Sequence, residues 1–297
     1  MIMKHHLKEL AARTAGRWYG DDPASRVVVL CYHSIHPTKW FRSATPDLFS
    51  EQLAWLRDRC HIVPLDAVAA AFDPVTFQRP RVAITFDDGY LDNYEYALPL
   101  LSDYHIPATF FLTTGLLDKD RTVLHRFQLQ RRTGYDGIKP LEWRHARDMM
   151  RQGMSIGAHT CTHPNLAQLD RAQASEELSR SKAILEDRLG CEIDSMAYPY
   201  GKPNRAFTRE TVEIAAECGY RVAVSVLFRG VRLSDDPLKL PRFFVQMDNV
   251  ECLSHKIAGW WDLIGWWQEK APRWVARAVS PLDFTPESTI VAGMGRL

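Results

Sequence analysis

The feature that most constrains this chain is an alternation of short apolar runs with longer segments of helical period. "RVVVLCY" (26–32) reads as a buried strand, and "DLFSEQLAWLRDRC" as a helix with Phe49, Leu53 and Leu56 on one face. "RVAITF" (81–86) and "PATFFL" (107–112) are the next strands, with a helix near "NYEYALPLLSDY" between them. Residues 118–138 read as a surface excursion, before the helix "PLEWRHARDMMRQG" and the short strand "MSIGA". A long helix, "AQASEELSRSKAILEDRLG", ends at Gly190. "SMAYPYG" is a strand running into a turn, and a helix over 207–218 precedes the strand "YRVAVSVLF". This order implies an α/β fold with a mainly parallel sheet and helical crossovers. A barrel is expected rather than a doubly wound sheet, because no G-x-G-x-x-G follows an early strand. In such folds functional groups gather at the carboxyl ends of the strands.

One strand end stands out. "AITFDDGY" sets Asp87 beside Asp88 where the 81–86 strand stops. Adjacent carboxylates disfavour each other's ionisation unless a cation or a proton relieves them, although Asp-Gly also simply makes turns. "IGAHTCTHPNL" then places His159 and His163 four apart after another strand. A turn of helical character would point both imidazoles the same way, with Pro164 putting His163 at its end. Alone, the pair is either a ligand pair or an exposed helix face. Two neutral imidazoles and one carboxylate form a zinc-type set with open positions. Asp88 can supply that carboxylate, which leaves Asp87 to take a proton.

"TFDDG", then "HTCTH", then "YPYG" together resemble the polysaccharide deacetylase family, carbohydrate esterase family four. From about 26 to 245 the order and spacing are similar to that family, nearest to its poly-N-acetylglucosamine deacetylases of biofilm systems. The resemblance implies a distorted (β/α) barrel that hydrolyses N-acetyl, sometimes O-acetyl, groups on sugars with a divalent metal, zinc foremost. It implies Asp87 as the base and Asp88, His159 and His163 as metal ligands. "YPYG" (Tyr198, Pro199, Tyr200, Gly201) would supply a backbone donor for the oxyanion and aromatic walls, or be an ordinary turn.

Two departures from the family pattern matter. Many members carry an arginine two residues before the proline of the third motif, where this chain has Ala197. "KLPRFFV" offers Arg242 as a replacement, with Asp236 nearby, unless Arg242 is only a strand-end arginine. The usual C-terminal "L-x-x-H-D" is also missing. The biofilm-type branch is permuted, with its acidic histidine early in the chain, and "LCYHSIH" places His33 after the first strand. His255, in "CLSHK", is the competitor, whereas His105 and His145 read as surface groups.

Composition bounds the rest. The 297 residues are 46% hydrophobic, enough for a large core, and the net charge of +1 creates no field for nucleic acid. Cys31, Cys60, Cys161, Cys191, Cys218 and Cys252 are scattered and form no C-x-x-C pair, which suits reduced thiols. Neither a signal peptide nor a membrane-spanning run is legible, so the expectation is a cytoplasmic protein. Three regions are expected: an amphipathic segment (1–25), the deacetylase-like domain (26–248) and a Trp-rich helical extension (249–297). The last holds Trp260, Trp261, Trp266, Trp267 and Trp274, a mix that suits either peripheral membrane contact or packing on the barrel or a partner chain. The oligomeric state is not legible. The reading is a sugar N-deacetylase acting on a polysaccharide or glycan precursor. Its alternatives are a hydrolase of another non-peptide amide or imide, and a catalytically silent carbohydrate-binding protein.

Overall fold

The computed structural model describes residues 26–38, 43–70, 78–130, 139–245 and 247–270. Strand β1 (Val27–Tyr32) is followed by a small parallel pair, β2 (Ser34–Ile35) and β3 (Ser43–Ala44), then α1 (Pro46–Arg59), β4 (His61–Ile62) and α2 (Leu65–Ala70). Strand β5 (Arg81–Phe86) leads through a π-helical turn (Asn93–Ala97) into α3 (Leu98–Asp103). Next come β6 (Ala108–Leu112), α4 (Thr114–Leu117), α5 (Arg121–Gln130), α6 (Trp143–Arg151) and β7 (Ser155–Ala158). The order closes with α7 (Arg171–Leu189), β8 (Ser195–Ala197), α8 (Arg209–Glu217), β9 (Val222–Val224), β10 (Phe243–Phe244), α9 (Val250–Ile257) and α10 (Asp262–Lys270).

Eight strands form one curled sheet in the order β10-β1-β5-β6-β7-β8-β9, with β4 beside the start of β5. Each of these pairings is parallel. The two ends of this order meet: Val224 bridges Leu240, and Leu240 N donates to Ala223 O at 2.8 Å. The expected distorted barrel of parallel strands is the fold observed. Strands β1, β5 and β6 are buried along their whole length, as continuous apolar runs in a two-sided sheet should be.

Strand alternation divides these runs between two layers. Val28, Leu30, Tyr32, Val82, Ile84 and Phe86 pack outward with Phe49, Leu53 and Leu56 of α1. Val27, Val29, Ala83, Phe111, Ala197, Val224 and Leu240 meet inside the curl. Following the same parity along β1 and β5 brings Cys31, Thr85 and Asp87 to the carboxyl end of that inner face. The inside is apolar below and polar at its mouth, which is where a barrel of this kind keeps its chemistry.

Two expectations change, and one that was left open is narrowed. The 118–138 excursion contains α5, whose Val123 and Phe127 are buried, so part of it is core rather than surface. The strand expected over 220–228 pairs with β8 only across Val222–Val224, because Val226 N turns to Gly201 O and Leu227 N to Arg242 O. The Trp-rich extension forms α9 and α10 and packs against the barrel as far as it is described. Trp261 is buried beside Phe228, while Trp266 is 40% exposed. Arg26 donates to Ile257 O and to both oxygens of Asp262, and Arg229 pairs with Asp235 and Glu269. The segments 1–25 and 271–297, including Trp274, lie outside the described residues. Among the described residues no helix is long and apolar enough to cross a membrane.

Candidate active site at the strand ends

Asp87 still belongs to the sheet: its N–H donates to Tyr32 O at 3.0 Å. Continued alternation would send Asp88 to the opposite face. Instead Asp88 takes φ 78° and Gly89 φ 92°, a left-handed turn that brings both carboxylates to one mouth. The strain at Asp88 buys this placement, since a non-glycine residue there costs of order 1–3 kcal/mol. Gly89 relieves the next position, where a side chain would crowd Leu112 and Leu117.

The histidine loop is a bend, not the helical turn expected. Thr160 and His163 both have positive φ, and the Thr160 hydroxyl accepts from His163 N at 3.0 Å. Glu177 of α7 clamps the loop by accepting from Cys161 N, Thr162 N and the Thr162 hydroxyl at 2.7–2.9 Å. Arg126 of α5 donates to Thr162 O at 3.0 Å. The loop therefore aims its imidazoles by side-chain clamps, which a four-residue spacing alone does not reveal.

The two histidines converge on Asp88. His159 Nε2 lies 3.6 Å and His163 Nε2 3.4 Å from Asp88 Oδ1, and all three residues are buried. His159 Nδ1 hydrogen-bonds Ala197 O at 2.7 Å, which makes Nδ1 the protonated nitrogen and turns the Nε2 lone pair toward Asp88. Ligand atoms each about 2.1 Å from one tetrahedral ion stand roughly 3.4 Å apart. Spacing, burial and donor chemistry thus all fit a divalent cation.

Asp87 is held differently. Arg242, fully buried, donates Nη1 to Oδ1 at 2.8 Å and Nη2 to Oδ2 at 2.7 Å. Nη1 also reaches the Thr85 hydroxyl and Nε reaches Ser225 O, so the fork is fixed on all sides. Burial alone would raise the Asp87 pKa. The Arg242 charge and hydrogen bonds, helped by His159 and His33, overcome it and lower the value to about 2.

His33 also sits at the mouth. Its Nε2 is 3.9 Å from Asp88 Oδ2 and its ring packs 4.8 Å from that of Phe244. His255 does not share this mouth: on α9 it stacks on Trp260 at 4.0 Å. His105 is exposed in a turn, and His145 stacks on Tyr94. Asp236 accepts from Leu238 N as a helical-turn cap rather than joining Arg242.

The "YPYG" turn needs one correction. Tyr198 cannot wall the site, because its ring stacks on Phe207 at 4.0 Å and its hydroxyl donates to Leu238 O inside the core. Tyr200 does face the site, with its ring 4.8 Å from His163. Pro199 is buried between them. Gly201 has φ 64°, and an added Cβ would come within 2.7 Å of Val226 N, so the turn closes only with glycine. The sequence reading missed Cys31 and Thr85 beside Asp87, and Phe127 beside His163. The strand parity of Cys31 and Thr85 was the available signal.

The polysaccharide deacetylase family model matches residues 75–223. That span holds Asp87, Asp88, His159, His163 and the "YPYG" turn, while His33 and Arg242 flank it. A poly-β-1,6-N-acetyl-D-glucosamine N-deacetylase of Staphylococcus epidermidis is 27% identical over 220 residues, covering 71% of each chain. The solved deacetylase PplD of Streptococcus pyogenes, in complex with acetate, has TM-score 0.65 and 26% identity over 78% of this chain and 98% of its own. IcaB from Ammonifex degensii has TM-score 0.62 and 25% identity over 79% of this chain and 98% of its own. With half its length in the family model and the parallel-strand fold of these relatives, the chain belongs to the polysaccharide deacetylases, hydrolases of the N-acetyl amide bond of carbohydrates.

Proposed function

We propose that this protein is a metal-dependent N-deacetylase of N-acetylglucosamine polymers or their glycan precursors. The similarity to poly-β-1,6-N-acetyl-D-glucosamine N-deacetylases makes a β-1,6-linked polymer the first substrate to try. The observation that carries the reading is the division of labour between two adjacent carboxylates. Asp88 faces imidazole nitrogens, whereas Asp87 is forked by Arg242.

In this reading Asp88, His159 and His163 hold a divalent ion, zinc foremost. When bound, the ion polarises the acetyl carbonyl and acidifies water. Asp87 accepts the proton of the attacking water at a carboxylate oxygen, and Arg242 keeps that carboxylate ionised and aimed. A base lowered to about 2 is weak, so it suits a water that is already acidified. His33 delivers a proton to the departing sugar nitrogen, because an amide anion is a very poor leaving group. Tyr200 and the backbone of the 199–201 turn line the acyl side, where one lost oxyanion donor typically costs about 2.7–4 kcal/mol.

The test is acetate release from β-1,6-linked N-acetylglucosamine oligomers, followed before and after chelation. Activity should vanish with chelator and return with added zinc. Acetate release that survives exhaustive chelation would rule out the metal-dependent reading.

A further inference from the structure

A second group of ligating side chains lies beside Asp87, and the proposed reaction leaves one of its members without a role. Cys31 is the penultimate residue of β1, on its inner face, and is fully buried. Its Sγ is 3.4 Å from Asp87 Oδ2 and 3.9 Å from His33 Nδ1. One ligand atom from each of Cys31, His33 and Asp87 lies within 4.8 Å of the others, as for the Asp88 set. A tetrahedral ion with bonds of about 2.3 Å to sulfur and 2.0–2.2 Å to nitrogen or oxygen separates such pairs by roughly 3.6 Å. The two measured separations bracket that value. His33 can serve here through Nδ1, because it is Nε2 that faces Asp88.

We propose that Cys31, His33 and Asp87 form a second, inhibitory site for a soft divalent cation such as zinc or cadmium, next to the Asp88–His159–His163 set. Thiolate and imidazole donors select these ions over magnesium, calcium or manganese. On binding, the thiol proton leaves to solvent, and the Sγ–H···Oδ2 hydrogen bond gives way to sulfur–metal and oxygen–metal bonds. Nothing is oxidised. Arg242 retains its two bonds to Asp87, since each carboxylate oxygen has a second lone pair. The positive charge of Arg242, and of an ion already on Asp88, opposes the second cation. This site therefore fills after the first and only at excess metal. The binding follows from the geometry alone. The inhibition rests on the roles proposed for Asp87 and His33, both of which the ion would occupy.

The experiment uses full-length protein carrying one equivalent of zinc, titrated with cadmium. Thiolate-to-cadmium charge-transfer absorption, zinc release and acetate release are followed together. In the wild type the absorption should saturate at one further ion per chain without zinc release, while acetate release falls at least tenfold in parallel. Cys31→Ser, with Cys31→Val as an apolar replacement suited to a buried site, should lack this absorption. Each variant, normalised to its own starting activity, should need at least tenfold more cadmium for half inhibition. Unchanged absorption and inhibition in both variants would overturn the proposal, placing cadmium at other thiols or in exchange with zinc. Absorption that depends on Cys31 but leaves acetate release untouched would uphold the site and overturn its inhibitory effect, and with it the roles given to Asp87 and His33.

Discussion

Arg242 at the mouth of the barrel and Arg229 beneath the C-terminal helices are both almost fully buried, and each forks one aspartate through two hydrogen bonds. What differs is the surroundings. Beside Arg229 the carboxylates of Asp235 and Glu269 meet guanidinium, and Asp235 also accepts from Arg232 N. At the mouth Asp88, the residue after the Asp87 that Arg242 forks, faces ring nitrogens of three histidines at 3.4–3.9 Å. A buried Arg–Asp fork is therefore a way of fixing geometry, and it serves a reactive mouth and a seam between a loop and a C-terminal helix equally well. A carboxylate surrounded by imidazole nitrogens is what separates the mouth from the seam.

The comparison breaks most visibly at the two aspartates. Asp88→Asn should abolish acetate release and lose bound metal, by elemental analysis of the purified protein. Asp87→Asn should lose activity by about 10²–10⁴-fold, the usual worth of a general base, while retaining the metal. Metal loss in Asp87→Asn but not in Asp88→Asn would reverse the two roles.

His33→Ala should lower turnover of acetamido sugars by a factor of about 10²–10⁴ with metal content unchanged. An acetate ester with a good leaving group needs little protonation, so its hydrolysis should suffer far less. Equal damage to both substrates would make His33 a substrate contact rather than an acid. Selective loss in His255→Ala instead would move the acid to α9, against the stacking of that ring on Trp260.

How much of this was legible in the sequence follows the range of the forces involved. Strands β5 and β6 and helix α7 were readable because burial and capping act locally: Asp170 caps α7 and Gly190 ends it at φ 71°. The carboxylate pair and the histidine pair announced themselves as short motifs. Arg242 was readable only as an available arginine, since its fork to Asp87 spans 155 positions. Helix α5 was misread because its inward side chains among the described residues, Val123, Phe127 and the partly buried Leu124, are too few to establish a period. The seam of Arg26 and Arg229 with the C-terminal helices left no local trace. Tyr198 and Tyr200 looked alike, and only the turn geometry sends one to the core and the other to the site.

The two arginines sharpen the comparison next. Arg242→Met leaves the buried Asp87 carboxylate without its guanidinium and should cost about 3–5 kcal/mol in denaturant unfolding, whereas Arg229→Met uncovers the partly exposed Asp235 and Glu269 and should cost less. At permissive temperature, kcat should fall only in Arg242→Met. The mouth pair also carries a pH signature. The folded-state pKa of Asp87 is lowered from 3.8 to about 2, so its contribution is complete above 3.8 and lost as pH falls through 2. In Arg242→Met burial alone raises the Asp87 pKa, so protonation relieves the variant. Its stability deficit relative to the wild type should therefore shrink as pH falls from about 4 to 2. A deficit that stays constant over that range would mean that the fork does not set the Asp87 charge.

The smallest effect belongs to the seam's outer face. Trp261 is 3% exposed and packed near Phe228, whereas Trp266, on the same helical extension, is 40% exposed. Trp266 is more exposed than Trp261, so Trp266→Ser should cost less stability in denaturant unfolding than Trp261→Ser. Its use as an interfacial anchor is a separate question, because an exposed indole suits a lipid headgroup region. The described part of the extension argues for packing. Trp261 is buried in the core, Trp260 stacks on His255, and the Lys256 ammonium is bonded to Phe244 O and Asp248 rather than turned outward. One exposed indole among the described residues is a narrow basis for membrane binding, so the protein should stay at the bottom of a flotation gradient with anionic liposomes at low salt. Flotation that is lost in Trp266→Ser would overturn this and make the outer face of the extension a lipid contact.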